Sequence, residues 1–251
     1  MLKLVDTWWR RAQDLLWPPR CVLCGHTGQS PALDLCAGCA VDLRRNAHAC
    51  EQCAEPLSSD AAAVVRCGAC LRRPPRYDRV FCPFIYAYPV AHLIRGLKFS
   101  GHVAHGRVLG ELLASEIRVR RAEALPDVLI PVPLAPPRYR QRGYNQAIEL
   151  AQYLQRRLGI ELRTDLVERT RDTPEQAGLD RNARRRNIKG AFEMRAGLPA
   201  RRVVIVDDVI TTGSTVNELA RVLKRRVRNM SKYGRSLAPR SCEPAVAGHG
   251  S

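Results

Sequence analysis

The sequence predicts an α/β chain, in which a parallel β-sheet flanked by helices follows a small cysteine-rich module. Three observations support this prediction. Eight cysteines form four CxxC pairs before residue 71, strand-like and helix-like segments alternate after residue 76, and the run "VVIVDDVITTGST" leads from an apolar strand into a polar loop. Alternating strands and helices are typical of a parallel sheet covered on both faces.

Composition divides the 251 residues into four segments, namely 1–19, 20–76, 77–225 and 226–251. The first predicts a short amphipathic helix that ends at Trp17-Pro18-Pro19. Such a helix fits docking on the protein's own body, and docking on a partner is the alternative. The second segment is the cysteine-rich module, the third is the α/β domain, and the fourth is an atypical tail.

Charge and hydropathy exclude some classes of protein. No apolar run approaches the ~20 residues of a membrane span, and charged residues interrupt the N-terminal apolar stretch, so no secretory signal is predicted. We therefore expect a cytoplasmic protein. The net charge of +17 attracts polyanions such as phosphates and nucleic acid. Arginine supplies much of this charge, and a GC-rich genome alone would produce the same excess.

The four CxxC pairs predict two structural zinc sites. A CxxC turn directs two sulfurs to one point, and two such turns complete a tetrahedral Zn²⁺ shell. Sequential pairing gives one set of Cys21, Cys24, Cys36 and Cys39 and a second set of Cys50, Cys53, Cys67 and Cys70, although the spacing also allows interleaved pairing. Residues 20–73 contain few large apolar side chains, so metal would replace a core there. With cysteine as every ligand, no position is left for water.

Two other interpretations of the cysteines are less favourable. A disulfide framework needs an oxidising compartment, and no secretory signal is present. A redox CxxC motif occurs singly rather than in four evenly spaced pairs. Cys82 lies beside Phe81 and is expected to be a packed thiol, whereas Cys242 belongs to the tail.

The segments of the α/β domain predict its elements in order. Residues 77–88 predict a strand because they are rich in aromatic and β-branched residues. Residues 90–122 predict two helices around a glycine turn. Short strands are predicted in 126–134, 161–170 and 201–209, and amphipathic helices in 146–159, closed by Gly159, and in 214–225.

The run after the last predicted strand indicates the chemistry of the site. The strand brings Asp207 and Asp208 to the carboxyl edge of the sheet, where such sheets bind ligands. The loop 211–215 then leads into a helix N-terminus, where unpaired N–H groups favour an anion. Hydroxyl side chains add donors, and Gly213 allows close backbone approach. The loop suits a monophosphate and the two acids suit sugar hydroxyls, or a metal on them, so a ribose 5-phosphate satisfies both.

This run resembles the phosphoribosyl pyrophosphate (PRPP) motif of type I phosphoribosyltransferases. Together with the four CxxC pairs, it identifies the chain as similar to the ComF/ComFC family, which joins a double zinc ribbon to a phosphoribosyltransferase domain. The segments "LIRGLKFSG", "PVPLAPPRYRQRGYNQA" and "RTRDTPEQAGLDRNARRRNIKGAF" also fit. The resemblance covers roughly residues 15–225 and implies the type I phosphoribosyltransferase fold for the α/β domain.

The resemblance also implies roles for individual residues. The acidic pair would hold the ribose hydroxyls with Mg²⁺ bridging to the pyrophosphate, and the loop would hold the 5-phosphate. The pyrophosphate would meet the segment after the strand in 126–134. The mobile hood of the family would correspond to residues 169–190, although a solvated basic loop is the alternative there. The implied PRPP-binding residues are Lys98, Arg138, Arg142, Gly143, Gln176, Arg184, Asn187, Asp207, Asp208, Val209, Thr211, Thr212, Gly213, Ser214 and Thr215. Lys98 would face the pyrophosphate or be a surface lysine.

Two functions fit the resemblance. One is transfer of phosphoribose from PRPP to an unknown, nucleobase-like acceptor, with Asp207, Asp208, Arg138 and Arg142 as the catalytic set. The other is a non-catalytic competence factor that senses PRPP or a nucleotide, binds single-stranded DNA and works with proteins of the competence machinery. A low aromatic content of 6% weakens the second function, because single-stranded DNA grooves use stacking aromatics.

The tail 226–251 departs from the family pattern. A family member would turn there into a strand that flanks the PRPP strand, whereas this composition predicts disorder and a sheet that lacks one strand. One permitted set of codons for residues 226–238, read in a shifted frame, encodes a glycine turn followed by an alternating strand. We therefore expect a frameshift near residue 225, which would leave the tail, with Cys242, without a selected role.

Overall fold

The structure is a computed structural model, and it describes residues 18–29, 33–58, 65–121, 125–172, 181–197, 202–231 and 241–249. The N-terminal helix predicted over 1–19 lies almost wholly outside these residues, as does Gln176 of the predicted PRPP set. In the described part of the chain, no helix is both long and apolar enough to cross a membrane.

The cysteine-rich module contains two short helices, α1 (Ala37–Val41) and α2 (Gly68–Arg72). Each begins directly after a cysteine, Cys36 or Cys67, that occupies its N-cap position. The remaining pairing in the module consists of isolated bridges, such as Arg20 with Thr27 and Ala49 with Pro56. With so little regular structure, the module depends on its cysteine sites for a fixed shape.

Two helices precede the sheet, as the sequence predicts. They are α3 (Val90–Phe99) and α4 (Val103–Arg121). The turn between them contains Gly101 at a φ of 66°, a left-handed conformation that favours glycine. The apolar face of α3 is fully buried, including Leu93, Ile94 and Leu97.

Four parallel strands form the main sheet, in the order β2-β1-β5-β6. They are β1 (Val128–Pro131), β2 (Glu161–Leu162), β5 (Arg202–Ile210) and β6 (Ser241–His249). Strands β3 (Val167–Arg169) and β4 (Phe192–Met194) form a separate antiparallel pair. The remaining helices are α5 (Pro136–Arg142), α6 (Gln146–Leu158), α7 (Arg181–Ile188) and α8 (Ser214–Ser231).

Each face of the main sheet packs on its own apolar core. Val203 and Ile205 of β5 pack with α8 and the β3–β4 pair on the face that we call the α8 face. Val206 packs with α3, α4 and α6 on the opposite face, which we call the α3 face. The predicted class, a parallel sheet with helices on both faces, is therefore confirmed.

The two halves of the cysteine-rich module pack on opposite faces. Leu35 belongs to the core of the α3 face, and Asp34 forms an ion pair with Arg107 of α4. Ala54 and Cys53 belong to the α8 face instead. The module therefore contacts both cores rather than forming a detached unit.

The strand predicted over 77–88 is not formed. The structure gives this segment isolated bridges only, from Phe81 to Ala245 and from Phe84 to Arg45. Its apolar residues cross from one core to the other, since Tyr77 and Val80 belong to the α8 face and Phe84 to the α3 face. Cys82 also belongs to the α8 face, and in a strand Phe84, two residues later, would share its face. The segment therefore breaks the alternation of a strand, although several of its apolar residues are buried.

The prediction of a missing strand is wrong, as is that of disorder at 241–249, whereas residues 232–240 and 250–251 of the tail lie outside the described residues. Helix α8 continues to Ser231, and β6 pairs in parallel with β5 from Arg202↔Ser241 to Ile210↔His249. The reason lies in the backbone, because β5 would otherwise present a row of unpaired N–H and C=O groups at the sheet edge. Any extended segment can pair with that row, even one with Pro244 and Gly248, which composition places outside strands.

The frameshift near residue 225 remains a prediction. Strand β6 lies beside β5, where the strand of a family member would lie, and a protein structure does not test the coding frame. We expect the coding DNA, resequenced from the source, to encode in the shifted frame a glycine turn and an alternating strand after residue 225. Codons that do not yield this strand would contradict the frameshift and make residues 241–249 the native edge strand.

Candidate functional site

The eight cysteines of the module form two separate four-sulfur sites. Within each of the sets Cys21/Cys24/Cys36/Cys39 and Cys50/Cys53/Cys67/Cys70, all four Sγ atoms lie within 4.8 Å of one another. The Sγ atoms of Cys24 and Cys36 are 3.6 Å apart, as are those of Cys53 and Cys67. Sulfurs about 2.3 Å from a central Zn²⁺ in a tetrahedron have comparable separations. Sequential pairing is therefore confirmed, and each set fits one zinc ion.

Backbone N–H groups prepare each site for metal. The amide of Cys39 donates to Cys36 Sγ at 3.4 Å, and that of Cys67 donates to Cys50 Sγ at 3.2 Å. Burial opposes thiolate formation at Cys21 and Cys50, but backbone donors outweigh it and lower their pKa values to about 6 and about 7. Cys82, expected to be a packed thiol, is buried, and burial raises its pKa to about 12.

A second candidate site lies at the carboxyl end of β5. It is a cavity of about 370 Å³ between β5, α3, α5 and α7. Nine residues of the predicted PRPP set line it, namely Lys98, Arg138, Arg142, Arg184, Asp207, Asp208, Val209, Thr211 and Thr215. Residues distant in sequence therefore meet in one place, where two acids and several cations share one cavity.

The acidic pair is held by its own backbone and by one lysine. Asp207 Oδ1 accepts a hydrogen bond from the Asp208 amide at 2.9 Å, and Asp208 Oδ2 lies 3.2 Å from Lys98 Nζ. Burial, with the adjacent Asp208 carboxylate as a second cause, raises the pKa of Asp207 to about 7. The Asp208 carboxylate in turn raises the pKa of Lys98. Lys98 therefore pairs with one of the two carboxyl groups, and the carboxylate oxygens of the pair suit a cation or hydroxyl donors.

The loop after β5 is ordered by short-range hydrogen bonds. Thr212 Oγ1 and Ser214 Oγ are 2.7 Å apart, and Gly213 has a φ of 66°. Arg184 of α7 donates to Thr211 Oγ1 at 3.2 Å. Helix α8 begins at Ser214, so the N–H groups of its first turn lie at this loop, where the Ser214 amide donates to Thr212 Oγ1 at 3.4 Å.

The predicted loop residues divide between two cavities. Thr211 and Thr215 line the cavity with the acids, whereas Thr212, Gly213 and Ser214 line a neighbouring cavity of about 480 Å³ toward the second cysteine set. Thr211 borders both. Gly143 lines neither and ends α5 at a φ of 77°. The Asn187 carbonyl accepts from Arg171 Nη2 at 3.5 Å, and the residue borders neither cavity.

The sequence reasoning missed several residues that line this cavity, and two of them, Arg169 and Phe99, add charge or an exposed aromatic ring. Arg169, at the end of β3, is 9% exposed and borders the cavity, and burial lowers its pKa. Phe99 borders the same cavity with 67% exposure, and Arg142 Cζ lies 5.4 Å from its ring centroid. Arg169 lies one residue before the end of the strand predicted over 161–170, and that position was a usable signal. An exposed aromatic residue next to Lys98 gave no signal in the sequence.

Comparison with known proteins agrees with this architecture. A double zinc ribbon domain matches residues 12–71, and a phosphoribosyl transferase domain matches residues 141–228. DNA utilization protein YhgH of Escherichia coli is 38% identical over 217 residues, which cover 83% of this chain and 92% of that protein. Competence protein F of Haemophilus influenzae is 37% identical over 82% of this chain and 91% of its own length. The chain belongs to the ComF family.

More distant similarities extend the comparison. Competence protein ComFC of Streptococcus pneumoniae is 26% identical, over 56% of this chain and 60% of that protein. Among solved structures, the hypoxanthine-guanine phosphoribosyl transferase of Leishmania donovani aligns with 57% of this ComF chain and 67% of its own. Its TM-score of 0.31 and identity of 13% are too low to support an argument.

We expect protein purified without added metal to contain two zinc ions per chain, measured by elemental analysis. The reason is that each closed Cys₄ site binds one ion tightly. Cys36→Ser should reduce the ratio to one and unfold only the first half of the module. A zinc ratio near zero for the wild type would contradict the assignment, and a ratio near one would mean that a single site is filled.

Proposed function

We propose that the cavity at the end of β5 binds PRPP and that the protein transfers its phosphoribose to an acceptor. The observation that supports this most strongly is the arrangement at one cavity of a carboxylate pair, two threonines of the hydroxyl-rich loop at a helix N-terminus, and arginines from three separate elements. PRPP offers a matching group to each, namely ribose hydroxyls, a 5-phosphate and a pyrophosphate.

Each part of the cavity then has a role. Asp207 and Asp208 would accept hydrogen bonds from the ribose hydroxyls. The loop 211–215 would donate to the 5-phosphate. Arg138 and Arg142 would pair with the pyrophosphate oxygens, for which the forked guanidinium is suited.

The carboxylate pair also fits Mg²⁺, which prefers oxygen ligands and binds through one or two carboxylates plus substrate phosphates. Within the cavity Lys98 pairs with Asp208, while burial, followed by the adjacent Asp208 carboxylate, raises the pKa of Asp207, and a bound cation would favour its ionised form. When bound, the ion would neutralise charge on the leaving pyrophosphate. Asp207 and Asp208 would be the protein groups nearest to it.

The reaction would break the bond between ribose C1 and the pyrophosphate oxygen and form a bond from C1 to a nucleophile of the acceptor. The electron pair of the broken bond leaves with pyrophosphate, so the arginines would stabilise the charge that develops there. Arg184 of α7, hydrogen-bonded to Thr211, would join the hood to the phosphate loop and help exclude water. The acceptor is expected to be nucleobase-like.

Incubation with PRPP, Mg²⁺ and a panel of nucleobases, with pyrophosphate release as the readout, tests the transfer. We expect release that depends on one acceptor in the panel. PRPP binding without release for any acceptor would favour the sensing function instead.

A second function, binding of single-stranded DNA, is favoured by one specific observation. Arg73, Arg76 and Arg185 line the cavity of about 480 Å³ between the second cysteine set and the hydroxyl loop. Arg66 and Arg72 are also exposed on the same half of the module. Such a cluster suits a phosphate backbone, and the name of the relative YhgH, a DNA utilization protein, points to DNA. Under this proposal the PRPP cavity would act as a sensor, in concert with proteins of the competence machinery.

The double variant Asp207→Asn/Asp208→Asn should abolish PRPP binding, measured by calorimetry with Mg²⁺, because both acceptors for the ribose hydroxyls lose their charge. The fold should persist, since Asp207 is half-buried and Asp208 makes its ion pair at the edge of the core. Glu193→Gln, an exposed carboxylate change on β4, is the control and should bind as the wild type does. Unchanged affinity in the double variant would refute the assigned role.

Binding of PRPP should weaken as the pH falls from 8 to 6. A raised pKa means that Asp207 is substantially protonated at neutral pH and fully ionised only above it, and the protonated form is the weaker acceptor. The carboxyl ¹³C resonance of Asp207, assigned by its loss in Asp207→Asn, should titrate near pH 7 in the free protein. A transition below pH 5 would contradict this prediction.

Single-stranded DNA should bind independently of sequence, with affinity that falls steeply with salt. Arg73→Gln/Arg76→Gln should reduce the slope of log affinity against log salt by about 1.4, because about one phosphate contact is lost for each arginine and each contact contributes about 0.7 for a single strand. The charge-matched control is Arg118→Gln/Arg156→Gln, in exposed positions on α4 and α6. No binding at low salt, or equal effects of the two pairs, would remove this function.

A further inference from the structure

The second cysteine set lies directly beside the hydroxyl loop. Cys53, Cys67 and Cys70 line the same cavity as residues 211–214, so the proposed zinc site and the proposed phosphate site share a wall. Between them runs the segment 73–79, which we call the linker and which joins the module to the α/β domain.

Tyr77 of the linker fixes the position of the loop glycine. It is 4% exposed and packs in the same core as Ile210 and Val216, which lie on either side of the loop. Its Oη would be only 2.8 Å from a Cβ placed on Gly213. The buried ring therefore contacts the loop where the backbone takes its left-handed conformation, and little space remains for the loop to move toward it.

Asn217 makes a second connection, by hydrogen bonds. Its Oδ1 accepts from the Arg76 amide at 2.6 Å, and its own amide donates to the Gly213 carbonyl at 2.9 Å. One residue in the first turn of α8 thus joins the linker to the loop. Further along the same helix, Lys224 forms a 2.6 Å ion pair with Asp78 of the linker, away from the loop.

The first cysteine set has no comparable position. Cys21 and Leu35 pack in the core of the α3 face, and Asp34 pairs with Arg107 of α4. None of its four cysteines borders either cavity at the loop. Within the described residues, only the second cysteine set lines a cavity together with the loop.

We propose that the second Cys₄ site, acting through Tyr77 and Asn217, positions the hydroxyl loop, so that its zinc and PRPP bind cooperatively. The first site takes no part in this coupling. The proposal rests on the proposed function in that PRPP is the ligand of the loop. Coupling between binding sites is reciprocal, so PRPP should also slow the loss of zinc from the second site.

The first experiment compares Cys67→Ser, in the second set, with Cys36→Ser, in the first. PRPP affinity by calorimetry should fall about tenfold or more in Cys67→Ser and stay within about twofold of the wild type in Cys36→Ser. Removal of zinc by a chelator, followed by elemental analysis, should leave more metal bound when PRPP is present, in the wild type and in Cys36→Ser. Equal affinities in the two variants would overturn the proposal.

A second pair of variants tests whether weaker PRPP binding in Cys67→Ser arises only from unfolding of that variant. Asn217→Ala removes the hydrogen bond from the Arg76 amide of the linker and leaves the backbone bond to Gly213 in place, so it disconnects the linker from the loop. Lys224→Ala removes a contact of the same linker with the same helix about two turns away. Asn217→Ala should weaken PRPP binding several-fold at full zinc content, while Lys224→Ala should not. Equal effects would mean that the interface acts only through overall stability.

Amide hydrogen exchange separates this proposal from the proposed function. Amides of residues 211–214 should exchange faster in Cys67→Ser and Asn217→Ala than in their controls, with no ligand present. If the wild type fails to bind PRPP but the loop shows this pattern, the proposed function fails and the positioning role survives. If PRPP binds and the loop exchanges equally in all four variants, the positioning role fails alone.

Discussion

The parallel pairing of β1 with β5 is the constraint on which the rest of the site depends. Its register runs from Val128↔Val203 to Pro131↔Val206, so β1 ends beside the last apolar residue before Asp207. The backbone that follows β1 therefore meets the acids at the same edge of the sheet, and Arg138 and Arg142 of α5 come from that backbone. A shift of the register would separate the arginines from the carboxylates.

Electrostatics explains why so many cations surround two acids. The adjacent carboxylates repel each other, which contributes to the raised pKa of Asp207. Lys98 compensates one of them, and the buried guanidinium of Arg169 adds positive charge at the same cavity. A ligand with hydroxyls in the middle and phosphates at both ends would offer donors to the acids and anionic oxygens to the cations of this cavity.

Much of this arrangement could be predicted from the sequence, because it follows from local spacing. The four CxxC pairs predicted two zinc sites, and the run from Val203 to Thr215 predicted a strand, a turn and a helix. Contacts between distant segments could not be predicted. Spacing alone left the cysteine pairing open, and nothing in the sequence linked Lys98 to Asp208 or placed Arg169 at the cavity. Composition also gave the wrong structure in two segments. At 77–88 buried aromatic and β-branched residues predicted a strand, but only isolated bridges form. At 241–249 polar residues, Pro and Gly predicted disorder, but the backbone pairs with β5. The phosphoribosyl transferase match ends at residue 228, close to the predicted frameshift.

The most direct test of the central claim is a competition titration of the wild-type protein with PRPP, ribose 5-phosphate and pyrophosphate, each with Mg²⁺. If the cavity binds both the 5-phosphate end and the pyrophosphate end of one PRPP molecule, PRPP should bind more tightly than either fragment. Each fragment should also displace PRPP competitively. No binding of PRPP, or binding of pyrophosphate as tight as that of PRPP, would contradict the account.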